Sequence, residues 1–251
     1  MKISIVTVCL NSAATIEATL RSVAQQSYRD FEHVVVDGGS TDDTLALIAK
    51  WDLHDVRLIG GPDRGIYDAM NKGVAAATGD AIGFLNADDR YADAEALGAI
   101  ADALSDASVD FVHGDLVFVD PLRRTVVRHW KGAVFDRPRF MLGFLPPHPT
   151  LYVRRAAFLA TGAFSLAHGT AGDVEWMIRL LARPALRSTY IPRVLVEMTA
   201  GGVSNASWRS WLRANRHVWR ACAQLGVSPA PFVVGKTLRK VPQWLRRRFP
   251  V

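Results

Sequence analysis

The sequence predicts an α/β protein with a mostly parallel sheet covered by helices on both faces. Short runs of apolar, often β-branched residues alternate with helix-like segments at short spacing, and this alternation is the signature of such a sheet. Polar residues also follow the ends of several runs, where parallel sheets bind their ligands.

The elements follow in chain order. Residues 3–8 (ISIVTV) read as a buried strand, and residues 13–26 as a helix with Ile16, Leu20 and Val23 on one face. Residues 31–36 are a second strand ending at Asp37. The turn GGST follows, and Thr41 or Asp42 caps a helix running through Ile48. Residues 56–59 are a third strand, stopped by Gly60, Gly61 and Pro62, and residues 67–77 are helical. Residues 81–85 are a fourth strand, followed by a helix over 94–104. Beyond residue 105 the pattern loosens. Residues 111–119 and 125–130 read as strands of a hairpin or meander, and 140–149 as a proline-rich loop holding His148. Residues 173–181 form an amphipathic helix that offers Trp176, Ile178 and Leu181 to the core, and 189–191 form a strand. A boundary is expected at Gly201-Gly202.

Composition excludes several classes. At 251 residues, 49% hydrophobic and 22% charged, the chain is long enough for a sizeable core and ordinary enough to exclude disorder or a membrane bundle. No apolar run reaches membrane-spanning length. The opening KISIVTVC is too short, and too soon interrupted by Asn11, to act as a signal peptide, so a cytoplasmic location is expected. Two cysteines, Cys9 and Cys222, support neither a disulfide framework nor a structural zinc site.

The net charge of +6 is unevenly placed. No acidic residue follows Glu197, whereas ten of the 30 lysines and arginines do; the remaining 20 face all 24 acids, so residues 1–197 carry 20 − 24 = −4. Helical geometry puts Trp208, Trp211, Leu212, Trp219 and Cys222 on one face, beside a stripe of Arg209, Arg213, Arg216 and Arg220. A second stretch aligns Val234, Leu238, Val241 and Leu245, interrupted at Pro242. Such a tail either lies on an anionic bilayer or packs its apolar face on the body of the protein. Nucleic acid is not the expected partner, since the body has no matching basic surface or RNA-binding motif.

FLNADD, residues 84–89, ends the fourth strand on adjacent carboxylates. Two such groups repel unless one is protonated or a cation, commonly a divalent metal, lies against them. The alternative is a solvated turn with an aspartate capping the next helix. Asn11, Asp37 and the Asp88/Asp89 pair fall at or just past the ends of strands one, two and four, and this convergence on one sheet edge favours a ligand site.

The runs IVTVCLN, VVVDGGSTDDT, PDRGIYDAMNKGVAAATGD and FLNADD resemble, in order, the amino-terminal half of family 2 glycosyltransferases that build bacterial surface polysaccharides and glycolipids. HPTLYVRR and AGDVEWMIRLL resemble the acceptor-side motifs of the same family, and the likeness spans about the first 200 residues. The resemblance implies a GT-A fold over 1–200, with a nucleotide-sugar half at 1–104 and an acceptor half at 105–200, followed by basic amphipathic helices over 201–251. It also implies a metal-dependent, inverting glycosyltransferase of hexosyltransferase type, with a nucleotide-sugar donor and a divalent metal, Mg²⁺ or Mn²⁺. Its acceptor would be a lipid-linked or membrane-held glycan, which places the enzyme peripherally on the inner face of the plasma membrane. Thr7, Cys9 and Asn11 would hold the base and ribose, Asp37 the nucleobase, and Arg64 the diphosphate or sugar. Asp88 matches the second acid of the family's Asp-x-Asp metal motif. Asn86 stands where many members have the first, losing one negative charge while keeping a hydrogen-bonding group for ribose or bound water. Asp89 either assists the metal or caps. The general base matches Asp173; Gly172 replaces the usual preceding Glu, which leaves Asp173 or Glu175 for the role. Two alternatives are a sugar nucleotidyltransferase, which usually has a Gly-rich basic loop where this chain has CLNSAAT, and a non-catalytic nucleotide-sugar or membrane-binding module.

Overall fold

Strands buried on both faces need apolar residues without alternation, and in the computed structural model β1 (Ile3–Cys9) is such a strand, buried along its whole length. The structure describes residues 1–184, 186–201 and 208–239. β1 pairs in parallel with β2 (Phe31–Asp37) on one side and β4 (Ala81–Phe84) on the other, and β2 with β3 (Val56–Gly60). The register sets Cys9 beside Asp37, and Asp37 beside Gly60, so the carboxyl ends of these strands share one edge.

Helices cover both faces, as expected. α1 (Ile16–Ala24) buries Ile16, Leu20 and Val23, and its first two meet Cys9 and Val35 beside α2 (Thr44–Ala49). On the opposite face α3 (Ile66–Ala76) packs Tyr67, Met70 and Val74 against Val6, Val8, Val34 and Val36. The remaining strands are β5 (Arg90–Tyr91), β6 (Phe111–Val119), β7 (Val126–Trp130), β8 (Tyr152–Arg154) and β9 (Ser188–Thr199). They extend the sheet to the order β3-β2-β1-β4-β8-β6-β9-β5, with β7 on β6. β8 runs antiparallel to both neighbours, and β6 pairs in parallel with β9.

Most elements match the sequence reading within a few residues, including α4 (Ala96–Ala103) and α7 (Gly172–Leu181). The strand expected at 189–191 instead continues to Thr199, because β9 bulges where the reading stopped. Pairing jumps from Gly114–Ile191 to Asp115–Val194, so Pro192, which has no N–H to offer the ladder, falls in the bulge. The loop expected at 140–149 overlaps α5 (Arg137–Met141), whose N-cap Asp136 accepts the Arg139 amide, and the 3₁₀ turn His148–Thr150. β5, β8 and α6 (Arg155–Thr161) were not foreseen.

α8 (Trp208–Gln224) and α9 (Pro229–Leu238) join the core of the sheet's α3 face: Val218, Ala221, Cys222 and Phe232 belong to the same apolar cluster as Val6 and Trp176. The buried face of α8 is rotated from the one expected. Cys222 is inside with Asn215 and Val218, while Leu212 and Trp219 stand exposed. The side chains of Trp208 and Trp211, and the stretch containing Val241 and Leu245, lie outside the described residues.

Candidate active site

The loops after β1 and β2 are laced together. Asn11 takes the left-handed conformation (φ 50°), which asparagine tolerates better than most residues. Its Oδ1 accepts the Thr41 amide at 2.9 Å, and its own amide donates to Ser40 Oγ at 2.8 Å. Asp37 is buried, and its Oδ2 accepts the Gly39 and Ser40 amides, each at 2.9 Å. Burial pushes its carboxyl up, but the Ser40 hydroxyl, which donates to Oδ1, and then these two amides hold it below the ordinary range. Cys9 points its thiol at the Val36 carbonyl and Asp37, and burial, with the Asp37 charge, pushes that thiol up to about 12. Arg64 lies at the surface, its side chain 77% exposed, paired with Asp68 at 3.1 Å. Thr7 is not brought to this edge: its buried hydroxyl meets His33 Nε2 at 2.9 Å under the sheet.

At the end of β4 the two carboxylates part company. Asp88 is half-buried, and desolvation raises its pKa. Asp89 is fully buried beneath the loop, where burial and the Asp88 charge push it up to about 8. Asn86 Nδ2 donates to Asp89 Oδ2 at 3.0 Å. Asn86 Oδ1 and Asp89 Oδ1 are buried acceptors with no hydrogen-bond partner among the described residues. Unsatisfied oxygens beside a desolvated carboxylate are a set to which a hard cation answers. Among the described residues no group of three or more histidine, cysteine, aspartate or glutamate side chains could enclose a metal, so other ligands would have to complete its shell.

A cavity of about 560 Å³ opens from Asn86 and extends past Tyr67 and His148 to Asp173 at the start of α7. Tyr67 Oη donates to Asp173 Oδ1 at 2.9 Å. The absent side chain of Gly172 makes this contact possible, since a Cβ there would stand 2.7 Å from the Tyr67 ring. Glu175 is turned elsewhere: it is buried and forked onto Arg179, with bonds of 2.6 and 3.0 Å. Trp176 is core, its ring tilted against Phe158 with centroids 4.4 Å apart and its indole N–H donated to the Gly162 carbonyl. His148 stacks on Phe84 at 5.4 Å, and burial lowers its pKa, so it faces the cavity uncharged at neutral pH. Sequence reasoning missed Phe118, Arg128, Trp130, Lys236 and Arg239, which also line this cavity. These lie on β6, β7, α9 and its C-cap, whose meeting no local pattern announces.

The family model described as Glycosyl transferase family 2 matches residues 4–163. A PGL/p-HBAD biosynthesis glycosyltransferase of Mycobacterium tuberculosis is 37% identical over 206 residues, covering 80% of this chain and 78% of the relative. A second glycosyltransferase of that organism is 30% identical over 212 residues, covering 81% and 77%. Among solved structures, S. aureus TarS 1–349 in complex with UDP-GlcNAc superimposes with a TM-score of 0.73 at 19% identity, over 99% of this chain and 73% of that one. The mannosyltransferase PcManGT from Pyrobaculum calidifontis, in complex with GDP-Man and Mn²⁺, gives 0.67 at 20% identity over 98% and 73%. At such identities these likenesses speak to the fold alone, and it is the GT-A fold.

Proposed function

Because this chain belongs to glycosyl transferase family 2 and is a glycosyltransferase, we propose that it uses a nucleotide-sugar donor and is a metal-dependent, inverting enzyme acting on a lipid-linked or membrane-held acceptor. The observation that carries the reading is the single cavity joining Asn86, at the sugar-donor edge, to Asp173.

The sugar donor lies across the ends of β1, β2 and β4, with its base and ribose over the loops that Asn11 and Asp37 hold rigid and its diphosphate toward Arg64 and Asp88. Asp88 and Asn86 Oδ1 would hold a divalent ion, Mg²⁺ or Mn²⁺, whose remaining ligands come from the diphosphate, the usual mode for a cation lacking an all-protein cage. Such an ion, when bound, stabilises the charge gathering on the leaving oxygens. Asp89, sealed beneath, orients Asn86. The acceptor hydroxyl attacks C1 from the face opposite the diphosphate. Asp173 takes its proton as the new C1–O bond forms and the C1–O bond to phosphate breaks, and Tyr67 keeps the carboxylate aimed.

A lipid-linked or glycolipid acceptor is supported by the PGL/p-HBAD biosynthesis relative and by exposed Trp219, Val234 and Leu238 near the arginines of α8. Among the described residues no helix is long and apolar enough to cross a membrane. The test is a calorimetric screen of UDP-, GDP- and dTDP-sugars with and without Mn²⁺, repeated on two variants. Asp88→Ala is expected to abolish metal-dependent sugar-donor binding. Asp173→Asn keeps that affinity within about twofold and loses transfer by roughly 10³-fold or more, the scale of a missing general base and its orientation. Equal loss of affinity in both variants would show that the roles are misassigned.

A further inference from the structure

The ring of His148 is held in place by everything except a hydrogen bond. Pro146 and Pro147 before it and Pro149 after it restrict the backbone. The 3₁₀ turn His148–Thr150 is tied to β6, where Thr150 Oγ1 accepts the Gly114 amide at 3.2 Å. The ring stacks on Phe84, with centroids 5.4 Å apart, and meets Phe164 edge-on at 5.9 Å. The residue is only 8% exposed, yet neither ring nitrogen has a hydrogen-bond partner among the described residues. Buried His113 and His168 each seal an unpartnered Nδ1 away from solvent; the nitrogens of His148 are not sealed, and the space this residue lines is the Asp173 cavity. A buried imidazole without a partner has lost the hydrogen bonds it makes in water, and a ligand atom can restore them.

The place of His148 along the cavity says which part of a ligand that is. Its stacking partner Phe84 is the last residue of β4 and stands two before Asn86. In the other direction, the Asp173 carboxylate is near enough for its charge to oppose the effect of burial on the imidazole. His148 therefore lies between the edge assigned to the diphosphate and the base assigned to the acceptor hydroxyl, and C1 of the transferred sugar must lie between the same two points. Uncharged at neutral pH, the ring offers one N–H donor and one acceptor, which suits a hydroxyl better than a phosphate.

We propose that His148 reads the sugar being transferred, its ring hydrogen-bonding one of that sugar's hydroxyl groups. This rests on the reading of the cavity as the place where the sugar donor and Asp173 meet, and it deepens that reading by naming a residue that recognises the sugar.

The test follows the ring-nitrogen NMR signals of His148 in the full chain with Mg²⁺. They are assigned by their loss in His148→Phe, which keeps an aromatic ring against Phe84 and Phe164. The ligands are UDP, GDP and dTDP, and then UDP-glucose, UDP-N-acetylglucosamine, GDP-mannose and dTDP-rhamnose. At least one nucleotide-sugar is expected to shift these signals while its own nucleoside diphosphate leaves them in place. In calorimetry, His148→Phe should bind that nucleoside diphosphate within about twofold of the wild type. It should bind the nucleotide-sugar about tenfold more weakly, equivalent to about 1.4 kcal/mol. His148→Asn or His148→Gln should restore most of the loss, Asn standing in for Nδ1 and Gln for Nε2. Equal shifts from nucleoside diphosphate and nucleotide-sugar would overturn the proposal in favour of a phosphate or metal contact. So would a bound nucleotide-sugar that leaves the signals unmoved, or equal weakening of both ligands in His148→Phe, the mark of a merely structural ring. Donor binding intact with any of these results overturns this proposal alone, whereas no binding of any nucleotide or nucleotide-sugar would overturn the reading of the donor edge and this one with it.

Discussion

Tyr67 and Gly172 show how a departure from a family pattern is compensated residue by residue. The space a Glu at 172 would fill is taken by the Tyr67 ring, and the tyrosine hydroxyl then holds Asp173 from the side. Tyr67→Phe and Gly172→Ala should therefore act through one contact, each lowering kcat about tenfold, with sugar-donor affinity unchanged. The double variant should be scarcely worse than either, because the two changes are coupled. Additive losses in steady-state kinetics would refute the shared contact. A second network concerns stability. Trp51 Nε1–H donates to His54 Nδ1, so His54 must carry its proton on Nε2 and donate to His33 Nδ1, which leaves His33 Nε2–H for Thr7. This chain needs both rings neutral. Burial drives His33 down to about 3 and lowers His54 as well, with the nearby Asp55 charge opposing. Folded values below the ordinary 6.5 mean stability that is full above pH 6.5 and lost as pH falls from there toward 3. Between pH 6.5 and 5, His33 alone contributes a loss of about 2 kcal/mol. Denaturant unfolding should show a pH slope shallower by that amount in His33→Gln than in the wild type; parallel slopes would exclude the pair as its source. Thr7 was read in the sequence as a ligand residue, and this buried partnership explains its absence from the site.

Elements were legible where burial leaves a period and illegible where it does not. β1, β2 and β4 are short runs dominated by apolar residues, and α1 and α7 repeat at 3.6 residues, so their buried faces could be read directly. β5 has two residues and β8 three, too few for any period, and they exist because β9 and β6 offer them edges. β9 was truncated at Pro192 because the bulge that accommodates a proline is decided by its partner strand. Helix α8 was legible as amphipathic but not in its orientation. Trp219 and Cys222 share the expected face, yet Cys222 is buried and Trp219 exposed, and only contact with α7, α9 and the 3₁₀ turn Leu166–Ala171 fixes which side goes in. The glycine crossing of α9 on the 142–143 loop belongs to this scale too. Gly235→Ala forces a methyl against a carbonyl oxygen, and by analogy with overpacked cores it should cost about 1–3 kcal/mol in denaturant unfolding. An unchanged midpoint would mean that α9 is not seated as described.

At the scale of the whole molecule, the candidate site divides by what sets it. The edge proposed for the sugar donor is legible in sequence because Asn11, Asp37 and Asp88 each lie at or just past a strand end, whereas the basic residues that line the Asp173 cavity depend on β7 and α9 meeting across about 100 residues of chain. The acidic body and basic tail foreseen from composition place exposed Arg213, Arg216 and Arg220 near Trp219, 48% exposed, and Leu238, 61% exposed, so charge and apolar area lie on the same helical pair. Each basic residue near an anionic bilayer contributes about 1 kcal/mol. The triple change Arg213→Gln/Arg216→Gln/Arg220→Gln should therefore weaken binding to phosphatidylglycerol vesicles by about 3 kcal/mol, roughly a hundredfold. Raising the salt should weaken the wild type more than the variant, since the lost term is the screened one. Trp219→Ala removes apolar contact without charge, so it should weaken binding equally at low and high salt. Vesicle sedimentation separates these cases. If the wild type binds phosphatidylcholine and phosphatidylglycerol vesicles alike, the charge of the tail has no part in bringing the acceptor cavity to a membrane.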